Sequence, residues 1–169
     1  LNNVSPRYPE LAVAWNPVFS NLVSVLQLDP ALDVAIKEWL GAGDPCSTDG
    51  YYLALPVPYR PRDGLFTHVS ELRLVRGVSS DVYARLAPYV CALPPGTRIN
   101  INTASVPVLQ SLGSPLTQAV AEKLWSYGHA DYQDISSGSA FMTAAAAADP
   151  ILRTRSGLLD VRSTYFLAQ

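Results

Sequence analysis

Lysine is nearly missing from this 169-residue chain: Lys37 and Lys123 are the only two, against ten arginines scattered along its length. Charged residues make up only 15%, and twelve cations against fourteen anions leave a net charge of −2. A protein that grips phosphate backbones gathers its cations on one face, so this composition argues against nucleic acid as the main partner. Long apolar runs are missing too. Apolar stretches such as Ala144 to Ala148 fall far short of the roughly 20 residues a bilayer helix requires. No signal peptide is visible, and the first residue is Leu1 rather than Met. The expectation is a processed form or an excised fragment, with any anchor outside it.

Chemistry is equally sparse. The two histidines, His68 and His129, stand in neither an H-x-x-x-H nor an H-E-x-x-H pattern, which argues against catalytic zinc. There is no G-x-G-x-x-G, no G-x-x-x-x-G-K-[ST], and no glycine elbow around a serine. His68, two residues before Ser70, therefore reads as a capping or surface residue. Glu38 and Glu122 fall on the outer sides of their expected helices, where a solvated role is the default. Two cysteines, Cys46 and Cys91, permit one disulfide and fit two inert thiols equally well.

What is present is an apolar, punctuated chain. Hydrophobic residues reach 49%, which excludes a disordered chain. The length suits about one domain, at roughly 150 residues each. Fourteen prolines and ten glycines divide it into short helices. Asp29-Pro30 opens one helix and Gly41 closes it, with Leu32, Ala35, Ile36, Trp39 and Leu40 on one face. Ser114-Pro115 opens another, with Leu116, Ala119, Val120, Leu124 and Tyr127 inward and Gly128 as its stop. Ser70 and Ser80 are expected to cap two further short helices, and Ser139 to open an alanine-rich one over Ala140–Ala148. Gly41 to Arg62, with four prolines, reads as a surface loop. The alternation Val161, Ser163, Tyr165, Leu167 predicts a strand, paired outside the chain or near Leu1.

Two segments carry more information. Val23-Ser24-Val25-Leu26-Gln27 is echoed by Val106-Pro107-Val108-Leu109-Gln110, and each copy leads to a helix ending near a tryptophan, Trp39 or Trp125. The expectation is a helical hairpin used twice. Ile99-Asn100-Ile101-Asn102-Thr103-Ala104-Ser105 is the most distinctive run. Its asparagines suit bridging of backbone groups where extended chain turns into helix, with Thr103 or Ser105 as the cap. A hairpin that grips DNA needs a cation beside its glycine turn, and none adjoins Gly113 in sequence. Asp44, Asp49 and Asp63 supply oxygen ligands of the kind calcium takes, without the compact D-x-D-x-D-G spacing, and Asp49-Gly50 reads equally as a turn.

The order of landmarks resembles a known family. Trp39-Leu40, Tyr51-Tyr52-Leu53, Pro58-Tyr59-Arg60, Ser70-Glu71-Leu72-Arg73-Leu74-Val75, Leu93-Pro94 and Asn100 to Leu109 follow one another as in the GspK family, the large minor pseudopilins of bacterial type II secretion. Leu1-Asn2-Asn3 and Ser163-Thr164-Tyr165-Phe166 resemble its entry segment and its return to the pilin sheet. The resemblance implies a mainly α domain, residues 1–160, inserted into a pseudopilin α/β fold, with 161–169 returning to that sheet. It also implies a non-catalytic subunit at the pseudopilus tip, with GspI and GspJ as partners and a periplasmic location. Membrane contact would come only through an N-terminal helix outside this chain. A secreted substrate or the secretin channel would meet the loop bearing Tyr51, Tyr52 and Tyr59.

Two site expectations follow from the resemblance. Family members carry an acidic D-W-x-D-x-D and a G-A-E-D that resemble a calcium loop. Here Gly41 and Gly43 replace two of those carboxylates, leaving Asp44 and Asp49, so the site is expected to be lost. A periplasmic location favours a Cys46–Cys91 disulfide, whose loop of about 45 residues would stabilise by up to roughly 4 kcal/mol. The rival readings are a helix-hairpin-helix nucleic-acid module and a periplasmic hydrolase.

Overall fold

The computed structural model describes residues 1–43, 45–113, 116–129, 143, 147 and 150–165. Among these the chain is mainly helical: α1 (Pro9–Val25), α2 (Ala31–Trp39), α3 (Pro45–Leu53), α4 (Ser80–Leu86), α5 (Val106–Ser111), α6 (Gln118–His129) and α7 (Ile151–Thr154). Short 3-10 helices lie at Asn2–Val4, Val69–Leu74, Ala87–Tyr89 and Ser156–Leu158. Two two-residue strands, β1 (Ile99–Asn100) and β2 (Leu159–Asp160), pair in parallel.

The longest helix is one the sequence conceals. α1 runs for 17 residues with Pro9 in its first turn and Pro17 inside it. Proline removes one intrahelical bond, here to the carbonyl of Val13. Pro17 and Val13 both lie on the exposed face, Val13 at 78%, so water can satisfy that carbonyl. The opposite face buries Ala12, Val18, Phe19, Leu22 and Val23. The first half of the internal echo is thus the end of a long helix, not a short helix of its own.

α2 matches its expected boundaries. Asp29 accepts the Ala31 amide at 2.9 Å, and Leu32, Ala35, Ile36 and Trp39 are buried. Gly41, at φ +97°, ends the helix: its amide donates to Glu38 and the Ala42 amide to Lys37, both at 2.9 Å. This double closure requires the left-handed conformation that glycine adopts without strain.

Several local expectations are corrected. The 41–62 segment contains α3, which carries Tyr52 into the core at 1% exposure. His68, not Ser70, caps the Val69–Leu74 turn, and Ser79, not Ser80, caps α4 by accepting the Val82 amide at 3.2 Å. On α6 the buried side chains are Ala121 and Leu124, while Ala119 is exposed. No strand forms over 161–165; pairing is confined to 159–160, and its partner is Ile99–Asn100. The cause is Asp160, whose carboxylate accepts the amides of Val161 and Arg162 at 2.8 and 3.4 Å and bends the chain away. Asp44, Ser114, Pro115, residues 166–169 and most of the 139–148 helix lie outside the described residues. Of that helix Thr143 and Ala147 are described, and both are helical.

Two apolar clusters fill the interior. One gathers Phe19, Leu22, Val23, α2, Tyr52, Phe66, Leu72, Val75 and Leu86. The other gathers Val18, Ile101, Leu109, Leu112, Leu116, Ala121, Leu124, Leu152, Leu158 and Leu159. α1 lies between them, and Trp15 packs against both.

Candidate functional site: the junction of the chain ends and the aromatic loop

The two ends of the described chain meet on one segment, residues 91–102. At the first end, the Leu1 amine donates to the Cys91 carbonyl at 2.9 Å. The buried Asn2 amide donates to the carbonyls of Phe66 and Leu93 at 2.9 and 3.0 Å, and its oxygen accepts the Phe66 amide at 2.8 Å. Asn3 donates to the Thr97 carbonyl at 2.9 Å and accepts the Gly96 amide at 2.8 Å. At the other end, the Ile101 amide donates to the Asp160 carbonyl at 3.0 Å. Asn100 donates to the Ser163 hydroxyl at 2.8 Å, and Asn102 to the Val161 carbonyl at 3.0 Å.

Asparagine suits this work because one side chain offers both donors and an acceptor. Asn100 uses its oxygen to accept the Asn102 amide at 3.0 Å, and its carbonyl accepts the Thr103 amide at 3.2 Å. The run thereby turns from β1 toward α5, whose N-cap is Ser105. The bridging role read for Asn100 and Asn102 is what the geometry contains; Thr103 contributes its backbone, and its side chain is exposed. A cleft of about 300 Å³, lined by residues of both ends including Asn3 and Ser163, opens beside the junction. Asn2 and Asn3 were the residues sequence reasoning left without a role, although their side chains match the chemistry of Asn100 and Asn102.

The aromatic loop folds against the first cluster. Trp39 is buried, with ring centres at 5.6 Å from Tyr52, 6.5 Å from Tyr59 and 6.4 Å from Phe66. The Tyr52 hydroxyl accepts the Arg76 amide at 3.1 Å, and burial pushes its phenol pKa up despite that bond. Tyr59 donates to the Leu74 carbonyl at 2.7 Å. Of the three tyrosines expected to face a substrate, Tyr51 is exposed, Tyr59 half-buried and Tyr52 core. Trp125, the counterpart of Trp39 in the echo, is 40% exposed.

The described residues of this loop do not fit a calcium ion, and Asp44 lies outside them. Asp49 lies on α3 and is paired with Arg60. Glu38, expected on a solvated face, is half-buried and bound by Arg76 at 2.7 Å. Gly41 and Gly43 have φ of +97° and +91°, where a residue bearing a carboxylate would be strained. Among the described residues no group of acidic, histidine or cysteine side chains gathers as a ligand set. Cys91 is exposed with a free thiol; the Cys46 side chain, and with it the expected bridge, lies outside the described residues.

Among the described residues, the features that suggested the two rivals serve the fold. Arg155 does reach the α5–α6 turn, 43 residues away in sequence, but it donates to the Leu112 carbonyl. Asn21 donates to the carbonyls of Ser111, at 3.1 Å, and Gly113. That turn is fastened to the protein's own helices. His68 Nδ1 accepts the Ser70 amide at 3.1 Å on an exposed turn, and Glu71 accepts the His68 amide at 3.1 Å in return, a capping box.

This mainly helical domain draws both described ends to one polar junction. In comparison with known proteins, residues 1–95 match the model of the family described as type II secretion system (T2SS), protein K. The chain belongs to that family. It is 38% identical over 122 residues to type II secretion system protein K of Pectobacterium carotovorum subsp. carotovorum, covering 69% of this chain and 35% of that protein. With the Aeromonas hydrophila protein of the same name it shares 36% over 127 residues, covering 72% and 38%. The chain thus spans little more than a third of the length of these relatives. A crystal structure of the GspK-GspI-GspJ complex from the enterotoxigenic Escherichia coli type 2 secretion system contains a chain with the same fold. The TM-score is 0.66 at 24% identity, covering 88% of this chain and 56% of that one. Among the described residues no helix is long and apolar enough to cross a membrane.

Proposed function

We propose that this chain is the helical domain of a minor pseudopilin that caps the type II secretion pseudopilus. It acts without catalysis, from the periplasmic side of the inner membrane. The carrying observation is the junction: both ends of the domain enter and leave through residues 91–102, as an insertion into another fold requires. A helical body mounted on a pilin scaffold obstructs axial stacking, so the subunit belongs at the filament's end. Family membership and the complex of GspK with GspI and GspJ support GspI and GspJ homologues as its partners. The exposed Tyr51 side of the loop is the surface offered to a secreted substrate or the secretin.

The test is assembly. The full periplasmic protein, mixed with purified GspI and GspJ homologues, is expected to elute as one ternary complex in size-exclusion chromatography with light scattering. Separate elution of all three would overturn the partner assignment, whatever the stability of the domain itself.

A further inference from the structure

We propose that the segment 41–63 is fastened by three arginines and needs no metal. The arginines come from three separate stretches of chain. Arg7, just before α1, donates to the Asp63 carbonyl at the far end of the segment. Arg60 pairs with Asp49 in its middle, tying α3 to the extended prolines that follow. Arg76 arrives from beyond the Val69–Leu74 turn. Its guanidinium binds Glu38 at 2.7 Å, just before the segment begins, and lies 5.4 Å from the Tyr51 ring centre. Its backbone amide meets Tyr52.

The physical case is one of charge and conformation together. A divalent cation holds a loop by drawing several carboxylates inward, and those carboxylates repel one another until the ion arrives. Here Asp49 and Glu38 each face a fixed cation already built into the chain. Bringing a metal to either requires displacing a guanidinium that is always charged. Gly41 adds a conformational bar, because its left-handed backbone at φ +97° closes α2 and strains any residue that carries a side chain. The segment keeps its shape through its own residues, with Tyr52 and Tyr59 packed on Trp39 beneath it.

Two measurements on the purified full periplasmic protein test this. Thermal unfolding in EDTA and in about 10 mM calcium chloride, above the range in which extracellular calcium modules bind, is expected to give the same Tm within about 1 °C. A calcium-dependent rise of several degrees would overturn the proposal. An ion pair with one exposed partner does little for global stability, so the arginines are read by local opening. Trypsin cuts after Arg62, whereas Arg60 is shielded by Pro61. Arg60→Ala and Arg76→Ala are each expected to speed native-state cleavage at Arg62 by about fivefold with the melting curve nearly unchanged. Unchanged cleavage in both variants would sink the arginine assignment. So would a Cys91→Ser variant, purified oxidised, that opens the segment as much as they do, because the fastening would then be covalent.

Discussion

Around Trp39 the interior is built from rings, with Tyr52 and Phe66 buried beside it and Phe19 in the same cluster. In the second cluster, among the described residues, the buried members are mostly leucine and none carries a ring. Yet the two regions open on the same sequence echo. The difference lies in what covers the aromatic at the end of each second helix. In the first copy, Gly41 reverses the chain so that the following segment lays Tyr52, Tyr59 and Phe66 over Trp39. In the second, Trp125 stays 40% exposed and the helix is held through Ala121 and Leu124. In the first copy, then, the segment that follows α2 decides that the Trp39 face of that helix becomes core.

Trp39→Ala against Trp125→Ala breaks the echo most directly. Removing a buried tryptophan costs about 3–5 kcal/mol in transfer and cavity terms, and removing a half-exposed one about 1 kcal/mol. Urea unfolding followed by far-UV circular dichroism measures both. Equal losses would mean that the two regions are built alike.

The junction asparagines sharpen the comparison at smaller scale. Asn2 is 4% exposed and serves Phe66 and Leu93, on the aromatic side. Asn102 is half-buried and serves Val161, on the leucine side. Asn2→Ala strands two buried backbone groups of Phe66 and the part-buried Leu93 carbonyl and is expected to cost about 2–3 kcal/mol, while Asn102→Ala is expected to cost about 1 kcal/mol. Chemical denaturation ranks them, and an Asn102 effect as large as that of Asn2 would place the main anchor at the other end of the chain.

How much of this was legible in sequence depends on distance along the chain. α2 could be read because its start, stop and apolar face lie within thirteen residues, Asp29 to Gly41. The Asn100–Ser105 turn was legible for the same reason: Asn100 acts on residues two and three ahead. α1 was hidden because Pro17 vetoes a helix by local propensity, and only the surrounding fold puts Val13 on the wet side. α3 was hidden because its proline, serine, threonine and glycine favour turns, and packing of Tyr52 overrides them. Arg155 on Leu112 and Arg76 on Glu38 join residues 43 and 38 apart, and no local rule reaches that far. Over 161–165 the expected strand is absent because alternation says nothing of Asp160, whose carboxylate takes the next two amides.

The smallest expected effect isolates the aromatic side by pH. Burial opposes the Glu71 carboxylate, but the Thr67 hydroxyl and amide, the His68 amide and Arg62 outweigh it and hold its pKa below the ordinary 4.5. A depressed folded pKa means the native state prefers the carboxylate charged. Its contribution is complete above the unfolded value and fades as pH falls through the lower folded one. Amide protection in residues 67–75, corrected for the intrinsic pH dependence of exchange, should therefore fall on acidification below about pH 4.5, while α5 and α6 keep theirs. Glu71→Gln should flatten that dependence, since the amide carries no charge to lose. Glu71 sits in the turn that supplies Leu72 and leads to Val75, both members of the first cluster. If acid loosened both regions in step, the two clusters would be one cooperative unit despite their different construction.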